Sequence, residues 1–374
     1  MNYLVYLFYP ALAVLLLVGA KFFKAGEWNE TVLSYAESKS FLGFAAIMIL
    51  FHHASQRTCA PWLEEFRIVH GLDVFVYVGY LFVAVFFFCS GYGMYVACKS
   101  KENFFQGFFL KRVVTILIPA VFIWTVFFII ERIQGMRISR PFWINTFDYI
   151  WFIPAIIYMY VAFYIAFHVI RDEMTGILVL LIATVLYGTI CFFISPGSWW
   201  YNSIHLFVIG VFFARNREGL LAKMKKNYVP LLLGSLVVTA VFFYLASYYY
   251  QILEFCKIPY QSLLYNGLFH MWTELILQQI SAMTFVLFVV LVGMKVRIGN
   301  KVLAFLGTFT LELYLVHPLF VNAFAFMFVN DTGKPIYHIR NSFFYVLVVL
   351  ALSVPLAFAL SSVVRMLRKK WDGK

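Results

Sequence analysis

The chain reads as an all-α protein, a polytopic transmembrane bundle of about eleven helices, and three observations carry that reading. Of its 374 residues, 63% are hydrophobic and only 12% are charged, where a soluble domain carries about 25% charge. Apolar runs long enough to cross roughly 30 Å of hydrocarbon recur along the whole length. The 29 Lys and Arg residues gather in short bursts between those runs. A soluble chain this apolar would have too little polar surface to offer water. Its net charge of +12 is spread over loops instead of forming a groove-sized patch, which argues against a nucleic-acid partner and for a bilayer.

The runs are expected over 3–20, 40–56, 72–98, 113–130, 149–170, 175–195, 201–214, 229–250, 272–294, 302–329 and 341–364. The first lacks a basic start, and Lys21 and Lys24 follow it, so it reads as an uncleaved helix with its N-terminus outside. The runs over 40–56 and 201–214 are short and partly polar, which is tolerated where a helix faces protein interior or a cavity. With the N-terminus outside, loops on the inner face hold 21 Lys and Arg and those on the outer face hold 8, together the 29 in the chain. One helix more or fewer in the middle would erase that bias, so an odd number of spans with a cytoplasmic C-terminus is expected. Cys89, Cys98 and Cys191 lie in or beside apolar runs and read as packing residues. Cys59 and Cys256 fall in two loops of the outer face, where a disulfide is chemically allowed.

Ionisable groups inside a span are expensive and mark function. His52 and His53 sit toward the outer end of the second run, and Asp73 opens the third. Trp151 opens the fifth, and Trp199, Trp200, Asn202 and His205 open the seventh. His270, Trp272 and Glu274 mark the outer start of the ninth, while Glu312, Tyr314 and His317 lie in the tenth. Most of these groups fall in one leaflet, as a polar, aromatic-lined pocket opening outward would require. The plainer reading is that the tryptophans form an interfacial belt, that Asp73, His270 and Glu274 are wetted loop-edge groups, and that His205 bonds a neighbouring helix. Adjacent helical residues point about 100° apart, so His52 and His53 cannot readily share one metal ion, and no metal site is expected. An intramembrane histidine suits a proton-transferring enzyme. The alternative is a secondary transporter or flippase with a histidine relay, which the lack of an internal repeat disfavours.

Several stretches together resemble the acyltransferase-3 family of membrane O-acyltransferases. The run Leu42-Gly43-Phe44-Ala45-Ala46-Ile47-Met48-Ile49-Leu50-Phe51-His52-His53 is similar to the family's first conserved helix. Phe86-Phe87-Phe88-Cys89-Ser90-Gly91-Tyr92-Gly93 looks like its FF-x-x-SGY segment. Phe109-Leu110-Lys111-Arg112 with Ile118-Pro119 resembles its basic loop and next helix entry. Trp151-Phe152-Ile153 and the Gly307 to Pro318 stretch, with Tyr314-Leu315-Val316-His317, resemble later landmarks, in the family's order. The resemblance implies a ten-helix core. Residues 1–37 would then add an N-terminal helix and loop, 38–364 would form the acyltransferase-like domain, and 365–374 a basic cytoplasmic tail. The essential family histidine follows a basic residue by eleven positions. That spacing matches His53 counted from Leu42, which stands where the family has its cation, with Lys39 the nearest substitute.

The resemblance implies transfer of an acyl group, acetyl above all, from coenzyme A onto a hydroxyl of a carbohydrate or other cell-envelope acceptor, in a bacterial plasma membrane. His53 is the expected general base, with His52 second. Lys111, Arg112 and Lys39 are expected to hold the donor's phosphates from the cytoplasmic side. The acceptor and oxyanion pocket is expected to draw on Asp73, Tyr92, Trp151, Trp199, Asn202, His205, Glu312 and His317. Acyl-CoA would be a co-substrate, with no bound cofactor.

Overall fold

The computed structural model describes residues 3–67, 71–133, 151–170, 172–194, 197–257, 267–325, 328–329, 335–336 and 339–371. Thirteen α-helices hold most of these: α1 (Phe8–Leu17), α2 (Tyr35–Gln56), α3 (Gly79–Ser100), α4 (Thr115–Ile133), α5 (Phe152–Tyr164), α6 (Glu173–Ile194), α7 (Leu206–Arg215), α8 (Arg217–Lys226), α9 (Tyr228–Phe255), α10 (Gly267–Gly293), α11 (Lys301–Leu306), α12 (Thr310–Ala323) and α13 (Ser342–Trp371). Two antiparallel ladders are the only strands among the described residues. β1 (Lys21–Phe22) pairs with β2 (Val296–Arg297), and β3 (Phe328–Val329) with β4 (Pro335–Ile336).

Each expected apolar run has a helical counterpart, and seven helices are by themselves long and apolar enough to cross a membrane. The segments Tyr3–Leu17 and Leu206–Arg215 are apolar but shorter. The outer helices carry their apolar side chains outward, with Leu178, Ile182 and Val185 of α6 and Leu233 and Val237 of α9 exposed. Only lipid can cover such a surface. The protein is therefore an integral membrane helix bundle.

Several helices begin or end about a turn or more from the expected boundary, α13 running on to Trp371, and two departures have a local cause. The run expected from residue 72 becomes α-helical only at Gly79, because Asp73–Phe75 forms a 3-10 turn in which Asp73 Oδ1 accepts the N–H of Gly71 at 3.0 Å. The run expected over 302–329 breaks after Leu306 and stops at Ala323. The 14 residues of α12 rise about 21 Å and cannot cross a bilayer alone. A break at that depth must be covered by protein, and it is: Gly307 lies on the backbone of α2. A Cβ at Gly307 would overlap the Lys39 carbonyl, and one at Gly43 would overlap that of Leu303. Two helices thus cross backbone to backbone, as small residues permit where no water drives association. The disulfide allowed by sequence does not form, since Cys59 is a buried free thiol and Cys256 an exposed one.

These contacts make α2 the axis of the bundle. Its 22 residues span about 33 Å, starting at Ser34, whose hydroxyl accepts from Glu37 N. One face, with Ala45 and Ile49, joins the core formed with α3, α5, α6, α7 and α10. The other, with Ala46, Leu50, Phe51 and Ala54, joins the core of α1, α4, α11, α12 and α13. The α2 end nearest Lys39 is also where the basic groups collect. There Asn29 Nδ2 donates to Glu37 and to the Gly293 carbonyl, both at 2.8 Å. Lys295 Nζ lies 3.9 Å from the Trp28 ring centre, and Glu173 ties Lys99 to Arg215.

Forcing a branched side chain into the α2–α11 crossing is predicted to cost about 1–3 kcal/mol. Gly307→Val should therefore unfold at a lower temperature than the parent in detergent. An unchanged midpoint would contradict the crossing.

Candidate active site

The two histidines of α2 point in different directions, as neighbours on a helix must. His52 turns to the start of α3. Its Nδ1 lies 3.0 Å from the Phe75 carbonyl, and its ring lies so close to Gly79 that a Cβ there would overlap it. His53 turns to α12, where its Nδ1 is 2.8 Å from His317 Nε2. His317 is held in turn by its Nδ1, 2.8 Å from the carbonyl of Leu313. It also reaches the Tyr314 carbonyl, whose usual helical donor is missing because Pro318 has no N–H.

The proton positions follow from this chain of contacts. A carbonyl only accepts, so His317 carries its hydrogen on Nδ1 and presents a lone pair on Nε2. His53 must then donate from Nδ1, which leaves His53 Nε2 as the basic nitrogen. A backbone carbonyl thus assigns the tautomer of a histidine two contacts away.

His52 and His53 line a cavity of about 530 Å³, within the range of small-molecule sites. Gln56 and Arg57 continue its wall along α2, Trp62 and Tyr77 come from the following loop, and Gly79 and Tyr80 begin α3. Across from them stand Trp151, Trp199, Asn202 and Ser247, with Glu274 and Gln278 of α10. A polar chain braces that side. Glu274 Oε1 accepts from Ser198 Oγ at 2.9 Å and from Gln278 Nε2 at 2.8 Å. Asn202 Nδ2 donates to Gln278 Oε1 at 2.7 Å. The cavity is thus aromatic, carries amides, and opens away from the basic end.

A second cavity of about 260 Å³ lies toward the basic end, enclosed by α2, α3, α4, α5 and α12. Leu42, Ala46, Phe86, Ile116, Ile156 and Leu311 make it largely apolar, and Ser90, Tyr160 and Thr310 contribute hydroxyls. Ile49, Val83 and Tyr314 line both cavities. A layer one side chain thick therefore separates the two sides of the bundle next to His53.

The residues expected from sequence divide accordingly. His52, His53, Trp151, Trp199 and Asn202 line the larger cavity, and His317 backs it through His53. Arg112 sits in a π-helical turn, Leu110–Val114, ahead of α4, close enough to the Tyr160 hydroxyl to act on it by charge. Lys111 occupies the same turn but lines neither cavity. Lys39 places its ammonium 4.3 Å from the Tyr35 ring centre and also lines neither. Asp73 accepts the N–H of Gly71, just ahead of its own turn. Tyr92 stacks on Phe88 at 6.3 Å in the core. His205 precedes α7 with both ring nitrogens unbonded, and buried Glu312 lies beside Ser361 and Arg365. None of these last four lines a cavity. The side chain of His270 falls outside the described residues.

Sequence reading passed over Arg57 and Gln278, though each had a signal. Arg57 follows His53 by four residues, and Gln278 follows Glu274 by four, so each shares a helix face with a polar partner. Tyr314 was visible as a polar group of the tenth run and as part of a family landmark, but with no role attached.

A family model described as an acyltransferase domain, the acyltransferase-3 type, matches residues 43–362. No curated protein and no solved structure matches the chain.

If the brace is cooperative, Asn202→Ala and Gln278→Ala will not be additive. A double-mutant cycle on thermal stability should return a coupling of about 0.6 kcal/mol, and at most about 1.7. Additive losses would show that the two amides do not act together.

Proposed function

Because this chain belongs to the acyltransferase-3 family, and is thus a membrane acyltransferase, we propose that it moves an acyl group from a coenzyme A thioester to an alcohol, with His53 Nε2 as general base. The observation that carries this reading is the shared boundary of the two cavities beside a histidine whose basic nitrogen is already assigned.

In this reading the donor enters the smaller cavity from the basic end. Its phosphates stay outside near Arg112, and its apolar arm runs between the helices toward Ile49, Val83 and Tyr314. The acceptor occupies the larger cavity, where Trp62, Trp151 and Trp199 suit the C–H faces of a sugar and the braced amides suit its hydroxyls. The acceptor's O–H gives its proton to His53 Nε2 while its oxygen attacks the thioester carbonyl. The C–S bond then breaks, the departing thiolate takes the proton from the imidazolium, and ester and free coenzyme A result. His317 keeps the ring turned correctly and delocalises the transient charge, so it positions the base without touching the acyl group. Acetyl is the simplest donor group. The positive-inside bias supports a plasma-membrane orientation, bacterial in this reading, with the basic end cytoplasmic and the acceptor a cell-envelope glycan outside.

Mass spectrometry of envelope glycans from cells with and without the protein should reveal the acceptor as a mass shift of one acyl group. His53→Ala should lower transfer by about 10²–10⁴-fold, the usual worth of a positioned base. His317→Ala should lower kcat by at least about 10-fold with little change in KM, since tautomer control is lost and the binding walls are not. Undiminished transfer by His53→Ala would refute the proposed base. Substrate movement into liposomes without any acyl donor would favour a transporter.

A further inference from the structure

We propose that Tyr314 is the oxyanion donor of this reaction, an inference that rests on the acyl-transfer reading above. The polarising group in an acyl transfer must lie where the carbonyl oxygen will be, offer a proton without surrendering it, and be held in place beforehand. Tyr314 lines both cavities, at the boundary where a thioester from one side would meet an alcohol from the other. It precedes His317 by three residues on α12, on the same helix face, and shares the lining of the larger cavity with His53, the partner of His317. Its ring is fixed edge-on to Phe152 with centroids 5.7 Å apart, and lies 6.1 Å from the His317 ring.

The hydroxyl itself is the unusual feature. It is buried, with the Phe152 N–H directed at its oxygen, and it finds no acceptor for its proton among the described residues, whereas a buried donor left without an acceptor costs about 1–3 kcal/mol. The missing acceptor is supplied by the reaction. As the acceptor's oxygen bonds to the thioester carbon, the carbonyl π pair moves onto oxygen, and Tyr314 donates its O–H to that developing charge. The tyrosine keeps its proton throughout. The proton that moves is the alcohol's, which travels to His53 Nε2 and then to the leaving thiolate. Around the phenol, Ile49 and Val83 line both cavities with apolar side chains, and in such low-dielectric surroundings a hydrogen bond to a developing charge is strengthened.

The experiment compares the parent, His53→Ala and Tyr314→Phe proteins in detergent, with acetyl-CoA as donor, glycerol as a generic alcohol, and thiol release as the readout. Tyr314→Phe keeps the ring and its packing and removes only the donor. It should lower kcat by about 10²–10³-fold, with the KM for acetyl-CoA changed less than about threefold. A purely structural role would instead lower the thermal midpoint or raise KM while leaving kcat in place. If His53→Ala is inactive and Tyr314→Phe turns over within about threefold of the parent, the oxyanion role is refuted while the base stands. If the parent and His53→Ala release thiol at the same rate, or neither does, the acyl-transfer reading fails and the role of Tyr314 falls with it.

Discussion

An imidazole sealed inside a helix bundle keeps whichever proton its neighbours assign to it, and here the assignment begins at a backbone carbonyl. Leu313 O takes the hydrogen of His317 Nδ1, so His317 Nε2 must accept, so His53 Nδ1 must donate. Each link is forced by the one before, because none of these groups can exchange roles without leaving a buried polar atom unmatched. Pro318 sharpens the arrangement by removing an N–H from the turn where His317 sits. The unprotonated nitrogen of His53, a residue that lines the larger cavity, is therefore a consequence of helix chemistry in α12, one helix away from His53 itself.

That arrangement requires α2 and α12 to stay in register, and the glycines at the α2–α11 crossing do that work. With no Cβ at Gly43 or Gly307, the two backbones touch, and the broken span α11–α12 is anchored at its break. The break in turn lets a short, Pro-containing helix carry Tyr314 and His317 to mid-bundle. Leu42, one residue before Gly43, faces the smaller cavity. Where the family resemblance expects a cation, this chain presents an isobutyl group to the passage. Its nearest substitute, Lys39, lies over Tyr35 instead, and of Lys39, Lys111 and Arg112 it is Arg112 that acts by charge on a residue of the smaller cavity, Tyr160.

Much of this was legible in the sequence, and for a definable reason. The spans follow from runs of apolar residues, which are local. The two misjudged boundaries with a local cause lie where hydropathy continues but the backbone does not: before Gly79, where the Asp73 side chain takes a backbone N–H, and after Leu306, where the chain turns against α2. Candidate residues fared by the same logic. Trp151, Trp199 and Asn202 line the larger cavity, while Asp73 takes the Gly71 N–H, Tyr92 packs on Phe88 in mid-α3, Glu312 lies beside Ser361 and Arg365, and His205 precedes α7 with both ring nitrogens unbonded. Polarity within a span shows that a group has a task; it does not show which one.

The sequence by itself determined that this protein lives in a bilayer, that its basic loops favour one face, and that a histidine eleven positions beyond Leu42 belongs to a family pattern. Those properties are written in composition and short-range spacing, which a folded neighbour cannot alter. Only the tertiary structure decided that His53 meets His317 across 264 positions, that Gln278 braces Asn202, and that Tyr314 stands between two cavities. Such pairings depend on how helices rotate and cross, and that is set by backbone contact at a few glycines and by close packing along whole helices, terms spread over residues far apart in the chain.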